Sequence, residues 1–144
     1  MKRLSGIFIT SLIATVIFGC GGSGGGASSD AVITGAITEN LKAMEREDVD
    51  ATMATIDQNS PGYQTTKDLI KLIFEQYDLK YELSDLKVTE KKGNEAKVSF
   101  TQVTRKVSGP EFRDNKITGL HTLRFTGGKW KIFNSVVATT DYLN

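Results

Sequence analysis

Apolar residues follow helical spacing through the first half of the chain. Ile33, Ile37, Leu41 and Met44 recur at intervals of four and three residues, which places them on one face of a helix. A second, shorter helix is predicted after Asp48, whose carboxylate can cap it. The shared apolar face of that helix comprises Val49, Met53 and Ile56.

A third helix is expected beyond the segment Asn59-Ser60-Pro61-Gly62, which has the composition of a turn. This helix runs from about Thr65 to Tyr77. Polar residues lie between the members of its apolar stripe, so the stripe indicates a helix packed along one side. Its members are Leu69, Ile70, Ile73, Phe74 and Tyr77.

From Lys80 the pattern changes to the two-residue period of strands. A mixed alternation between Tyr81 and Val88 indicates a first strand with a bend or bulge near Ser84. The turn residues Lys92-Gly93-Asn94 then lead into a cleaner second strand. One face of this second strand carries Ala96, Val98 and Phe100.

Two further strands complete the pattern. Gly109-Pro110 ends the second strand, and a third is predicted from about Ile117 to Thr126. Gly127-Gly128 joins it to a fourth, in which Trp130 and Ile132 alternate with lysines. Helices followed by an antiparallel sheet of about four strands predict an α+β domain, with the N-terminal helices packed on one face of a curved sheet.

The stretch from about Ile33 to Val137 resembles the nuclear-transport-factor-2-like superfamily, whose domains have a cystatin-like α+β fold. Two motifs carry the resemblance: Glu39-Asn40-Leu41-Lys42-Ala43-Met44 leading to Glu47-Asp48-Val49-Asp50, and the ending Gly128-Lys129-Trp130-Lys131-Ile132. The resemblance implies a strongly curved sheet around a long first helix, with a pocket in the concave face. It implies little about chemistry, because one fold hosts many functions.

The first nineteen residues have the features of an export signal. Lys2 and Arg3 precede an apolar run from Leu4 to Phe18, which is too short to span a bilayer comfortably. The segment Ile17-Phe18-Gly19-Cys20 resembles the bacterial lipobox, in which cleavage precedes the cysteine. The resemblance implies that Cys20 carries lipid, and acyl chains added there would hold the protein on a membrane. A location in the cell envelope follows, at the outer membrane if the organism has two membranes.

Composition divides the chain into three parts. Residues 1–19 form the signal peptide, residues 20–30 form the lipidated cysteine with a glycine- and serine-rich tether, and residues 31–144 form one domain. Lys2 and Arg3 are the only charged residues of the signal, so the mature chain keeps 16 of the 18 basic residues against 17 acidic ones. A nucleic-acid partner is not expected, because it would require a clearly basic surface.

Five side chains are candidates for lining a ligand pocket: Tyr77, Tyr81, His121, Trp130 and Asn134. Aromatic residues at strand and helix spacing are also typical of a plain core. His121 is the only histidine, and alternation places it on the same face as Leu123 and Phe125, so it can point into the concave face. It is a candidate general base, or a histidine making one structural hydrogen bond.

Two functions remain open. The first is a non-enzymatic, lipid-anchored binding or interaction module of the cell envelope, with a small apolar ligand or an envelope protein as its partner. The second is an enzyme of the isomerase, dehydratase or cyclase kind that uses His121. With one histidine, and with the only cysteine assigned to lipid, neither a metal site nor a cofactor is expected. A homodimer is compatible with both functions.

Overall fold

The computed structural model describes residues 28–143. Three helices come first: α1 (Asp30–Glu45), α2 (Val49–Ala54) and α3 (Tyr63–Gln76). Four strands follow: β1 (Asp78–Lys92), β2 (Glu95–Ser108), β3 (Asn115–Thr126) and β4 (Lys129–Tyr142). The predicted signal peptide, Cys20 and most of the tether lie outside the described residues.

The first two helices form where the periodicity predicts them. Helix α1 buries Ile33, Ile37 and Leu41 along one face. Helix α2 begins after Asp48, whose carboxylate accepts a hydrogen bond from the backbone N–H of Ala51 at 2.9 Å. This bond satisfies one of the backbone donors that a helix N-terminus leaves free.

The sheet is antiparallel throughout, in the order β1-β2-β3-β4. The expected irregularity in β1 is present: the pairing with β2 shifts between Ser84 and Lys87, and Asp85 has a φ of +53°. The turn between β3 and β4 uses Gly127 and Gly128, both with positive φ, a conformation that costs glycine little. The prediction of an α+β fold with about four strands is confirmed.

One face of the sheet, called here the inner face, packs against α1. Residues opposite each other in antiparallel strands share a face, so pairing of Ala96 with Leu123, and of Leu123 with Ile132, defines a row on this face. Together with α1 this row forms the main hydrophobic core. Its buried members are Ile33, Ala36, Ile37, Ala96, Val98, Leu123, Trp130 and Ile132.

A second, smaller cluster joins α2 to α3 through Met53, Ile56 and Ile70. Ile56 lies just beyond the end of α2, where it forms a parallel bridge to Ile132 of β4. The predicted apolar stripe of α3 is only partly correct, because Leu69 is exposed. Ile70 and Phe74 provide the packed side of α3, and this side is narrower than the sequence pattern indicates.

Strand β4 extends further than its alternating start suggests. Its first residues, including Trp130 and Ile132, are buried, whereas every residue from Asn134 to Tyr142 is exposed. Half of β4 is therefore uncovered on both faces of the sheet.

Candidate functional site

The inner face is covered unevenly, and the uncovered part is the candidate site. Pairing places His121 opposite Ser135 and Gly119 opposite Val137 on this face. Ser135 and Val137 are exposed, and His121 is half-buried. We call this region the open corner. It consists of Ile117, Gly119, His121, Ser135, Val137 and Thr140.

Phe100 of β2 forms the floor beside the open corner. Its ring is 4% exposed and stacks on the imidazole of His121, with the ring centroids 4.0 Å apart and the planes 14° from parallel. Gly119 makes room for this ring. A methyl group at Gly119 would lie 2.9 Å from two ring carbons of Phe100 and 2.3 Å from the carbonyl oxygen of Val136. The absence of a side chain at Gly119 thus allows the aromatic stack.

The imidazole of His121 is neutral near physiological pH. Burial among apolar neighbours lowers the pKa of His121 to about 4, because the charged form loses its hydration there. Its Nδ1 lies 2.7 Å from Oγ of Ser135, and either atom can donate depending on the tautomer. No other hydrogen bond to His121 occurs within residues 28–143. Its Nε2 therefore has no hydrogen-bond partner in the described part of the chain.

The other candidates do not gather around His121. Tyr77 packs against the ring of Phe112, with centroids 5.8 Å apart, beside the start of β1. Asn134 pairs with Thr122, which places it on the outer face of the sheet, and it is exposed. The five candidates therefore occupy several parts of the fold.

Tyr81 and Trp130 are core residues. Tyr81 is buried, and this burial raises the pKa of its hydroxyl to about 12, with the charges of Glu47 and Glu45 adding to the rise. Trp130 is 6% exposed and packs in the main core beside Phe125. Its buried Nε1 has no hydrogen-bond partner among the described residues.

Asp57 is a buried carboxylate that the sequence pattern does not single out. It is fully enclosed, and its Oδ1 accepts hydrogen bonds from the backbone and side-chain N–H groups of Asn59, at 2.9 and 3.2 Å. Its Oδ2 accepts a longer bond from Thr126 at 3.4 Å. The segment after α2 is thereby tied to the end of β3. A single aspartate beside a turn carries no periodic signal that would have predicted this role.

Two features are absent from the described part of the chain. Residues 28–143 contain no group of three His, Cys, Asp or Glu side chains placed to hold a metal ion. None of the three helices is long and apolar enough to cross a membrane.

The sequence matches a family model over residues 35–143, which run from within α1 to beyond the end of β4. The model describes the C-terminal domain of anti-sigma-I factor RsgI9. The chain belongs to this family. The anti-sigma-I factor RsgI9 of Acetivibrio thermocellus is 32% identical over 95 residues, which are 66% of the present chain and 13% of that protein. The stretch that this chain matches is thus a small part of a much longer relative.

Solved structures show that this chain has the fold of nuclear-transport-factor-2-like and cystatin-like proteins. An NTF2-like protein of unknown function from Pseudomonas putida has a TM-score of 0.63 at 14% identity, covering 76% of this chain and 84% of its own. A cystatin-like protein of unknown function from Nostoc punctiforme has a TM-score of 0.62 at 13% identity, covering 77% and 90%. These matches show the fold that the sequence motifs predicted.

A ketosteroid isomerase-like protein from Erwinia carotovora atroseptica matches with a TM-score of 0.58 at 21% identity. The match covers 82% of this chain and 98% of that protein. At this level of identity the similarity is one of fold, and the chemistry of a site has to be argued from its own residues.

Proposed function

We propose that this protein is a lipid-anchored, non-enzymatic binding module of the cell envelope, and that the open corner is its ligand site. The observation that carries the proposal is the stacked pair of Phe100 and His121 on a part of the inner face that none of the described helices α1, α2 and α3 covers. The family supports a binding role, because the relative it matches is named an anti-sigma-I factor.

The anchor in this proposal is Cys20. The lipobox-like segment Ile17–Cys20 and the glycine-rich run that follows it support export and lipid attachment. A membrane surface is then one partner, and a glycine- and serine-rich tether joins the lipid to the domain.

The chemistry of the open corner suits a small, mostly apolar molecule with one hydrogen-bonding group. Ile117 and Val137 supply apolar surface, and Nε2 of neutral His121 supplies a single polar contact. Ligand sites of small proteins commonly combine apolar walls with a few placed polar groups. A polymer of charged units, such as a nucleic acid, would find no basic groups in the open corner.

An isomerase, dehydratase or cyclase that uses His121 is the second candidate, favoured by the position of His121 on the inner face. A general base works best when its pKa lies near the operating pH. Burial lowers the pKa of His121 to about 4, so the imidazole is a weak base at neutral pH. Its described hydrogen-bond partner is a serine, not a carboxylate that would orient and strengthen it. Both facts favour binding over catalysis.

The test uses the histidine itself as a reporter. His121 is the only histidine, so its ring gives one unambiguous NMR cross-peak. Residues 28–144 include all seven elements and both apolar clusters, so this segment carries the complete core. We expect 1-naphthol, an apolar bicyclic molecule with one hydroxyl, to shift the His121 peak in a saturable way.

Two variants make the test specific. Val137→Asp places a charge in the open corner and should weaken 1-naphthol binding at least tenfold, by analogy with one unfavourable buried charge contact. Val107→Asp changes an exposed valine of β2 outside the open corner and should leave binding unchanged. A His121 peak that does not move, or moves equally in both variants, would show that the open corner is not the site.

A further inference from the structure

The two outer strands of the sheet differ sharply in how their free edges are protected. Strand β1 carries charges at eight of its 15 residues, and its pairing with β2 shifts register at three places. Charged side chains and bulges on an edge strand discourage pairing with another chain. The edge of β1 is therefore well protected against association.

The edge of β4 is covered only at its beginning. The N–H of Ile132 donates to the carbonyl of Thr55 at 2.9 Å, and the N–H of Asp57 donates to the carbonyl of Ile132 at 2.8 Å. Beyond Ile132 no described strand pairs with this edge. The uncovered segment runs from Asn134 to Tyr142, and we call it the open edge.

The open edge lacks the usual protection. It contains no lysine, arginine or proline, and Asp141 is its only charged residue. Val136 and Val137 are 56% and 52% exposed and lie on opposite faces of the sheet. An edge that has a single charged residue, is rich in β-branched residues and is exposed on both faces is a strong candidate for adding a strand.

The open edge is also held in place at both ends. Ile132 is fixed by the segment after α2, and the N–H of Leu143 donates to the carbonyl of Asp114 at 2.8 Å. The guanidinium of Arg113 lies 4.0 Å from the centre of the Tyr142 ring. A strand that is already extended loses little conformational freedom when it pairs.

We propose that the open edge pairs antiparallel with the open edge of a second copy of this chain, forming a two-fold dimer with a continuous sheet. In the alternative pairing, β4 of one copy would lie beside β1 of the next. The open edge, with its single charged residue, would then face a highly charged strand with register shifts. That contact would also be head-to-tail and would not close, whereas β4 with β4 closes on a two-fold axis.

The side chains of the open edge fit this symmetry. Ala138 is the extra residue where the β3–β4 register shifts, so the alternation of faces reverses there. Matching the faces of both copies puts the axis between Val137 and Ala138. Val136 then lies opposite Thr139 of the second copy, and Asn134 lies opposite Asp141 of the second copy. No like charges face each other, and the two Asp141 carboxylates are at opposite ends of the ladder.

The inference is independent of the proposed ligand site, because it rests on the backbone edge and not on the side chains of the open corner. The first test is sedimentation equilibrium of the full chain purified in detergent. We expect the unmodified chain to be dimeric at about 100 µM, and Val136→Lys to weaken dimerisation at least tenfold, since a lysine on an edge strand opposes pairing.

The matched control is Val107→Lys, which puts the same charge on a valine of β2 that is 62% exposed. This variant should dimerise like the unmodified chain. A monomeric unmodified chain would overturn the proposal, and so would an equal loss of dimer in both variants.

A second measurement locates the contact in membranes. Ala138→Cys places a thiol beside the proposed axis, and oxidation should produce a covalent dimer. Ser84→Cys, at an exposed position on β1, should not cross-link. Cross-linking through Ser84→Cys as readily as through Ala138→Cys would assign the contact to another surface and reject the β4 pairing.

Discussion

At the scale of single residues, His121 combines two features that matter for binding. It is half-buried and stacked on an aromatic ring, yet it keeps one nitrogen free of protein partners within the described chain. The stack and the bond to Ser135 fix the orientation of the imidazole. A ligand therefore meets a preorganised polar atom on an otherwise apolar surface.

The neutral state of His121 predicts a particular pH dependence of stability. In the unfolded chain the pKa of His121 returns to about 6.5, while in the folded chain it is about 4. Between these values the unfolded chain binds a proton that the folded chain does not, so the free energy of unfolding falls as the pH drops from about 6.5 to about 4. Above pH 6.5 this contribution is fully present.

Urea unfolding at pH 7 and at pH 4.5 should show this loss, and His121→Gln should show a smaller one, because glutamine does not titrate. Aspartates and glutamates titrate in both proteins, so the difference between the two proteins isolates the histidine. A ring pKa near 6.5, measured by NMR, would contradict the burial argument and revive the enzymatic candidate.

At the scale of elements, β2, β3 and β4 are tightly packed in the row that contains Gly119. Phe100 extends from β2 over the β3 backbone, and the carbonyl of Val136 approaches from β4. The packing of three strands therefore depends on the absence of a side chain at Gly119. The φ of Gly119 is one that other residues adopt, so the constraint is one of space and not of backbone conformation.

Gly119→Ala should destabilise the domain by about 1–3 kcal/mol, the usual cost of forcing extra volume into a packed region. It should also move the His121 ring signal, because Phe100 has to shift. Gly35→Ala is the matched control: it lies on the exposed side of α1 with nothing within 4 Å of the new methyl. We expect the control to stabilise the helix by about 0.5–1 kcal/mol. A neutral Gly119→Ala in a denaturant melt would show that the stack is loose.

Much of this architecture could be predicted from periodicity. The faces of α1, the Asp48 cap, the bulge in β1 and the inner face of β2 all follow local rules, and alternation alone places His121 on the inner face. The partners of His121 could not be found this way. Ser135 and Gly119 lie beside it because of the strand register. The register depends on bulges, and the alternation of apolar residues does not reveal where these occur.

The exposed part of the molecule was harder to predict for a related reason. Leu69, Val136 and Val137 are of residue types that usually form a core. A sequence pattern does not show whether another element covers the apolar face that such residues form. Predicting which apolar residues are exposed requires the positions of the neighbouring elements, and these are known only from the folded structure.

At the scale of the whole molecule, the proposed anchor and the folded domain are separate units. In the proposed arrangement, a glycine- and serine-rich tether of about ten residues joins the lipid to the domain. Such a tether raises the local concentration of domains on one membrane surface. That concentration would favour the two-fold pairing proposed for the open edge.

Cys20→Ser tests the anchor directly. Cells grown with an alkyne analogue of palmitate should label the unmodified chain, and the substitution should abolish the label, because lipid attaches through the thiol that serine lacks. Ser23→Ala changes the tether alone and should remain labelled. An unlabelled native chain, or label retained in Cys20→Ser, would show that lipid on Cys20 does not hold the protein on a membrane.

The placement of the two chain ends in the fold has a mechanical consequence. Ser28 is held by the side chain of Lys91 beside the β1–β2 turn, whereas Leu143 is held at Asp114, beyond the other end of the sheet. A force applied between Ser28 and Leu143, the two ends of the described chain, would pull β4 lengthwise along β3. The hydrogen bonds of that ladder would share the load in shear, so the domain would resist pulling far better than a sheet whose strands are peeled apart one bond at a time.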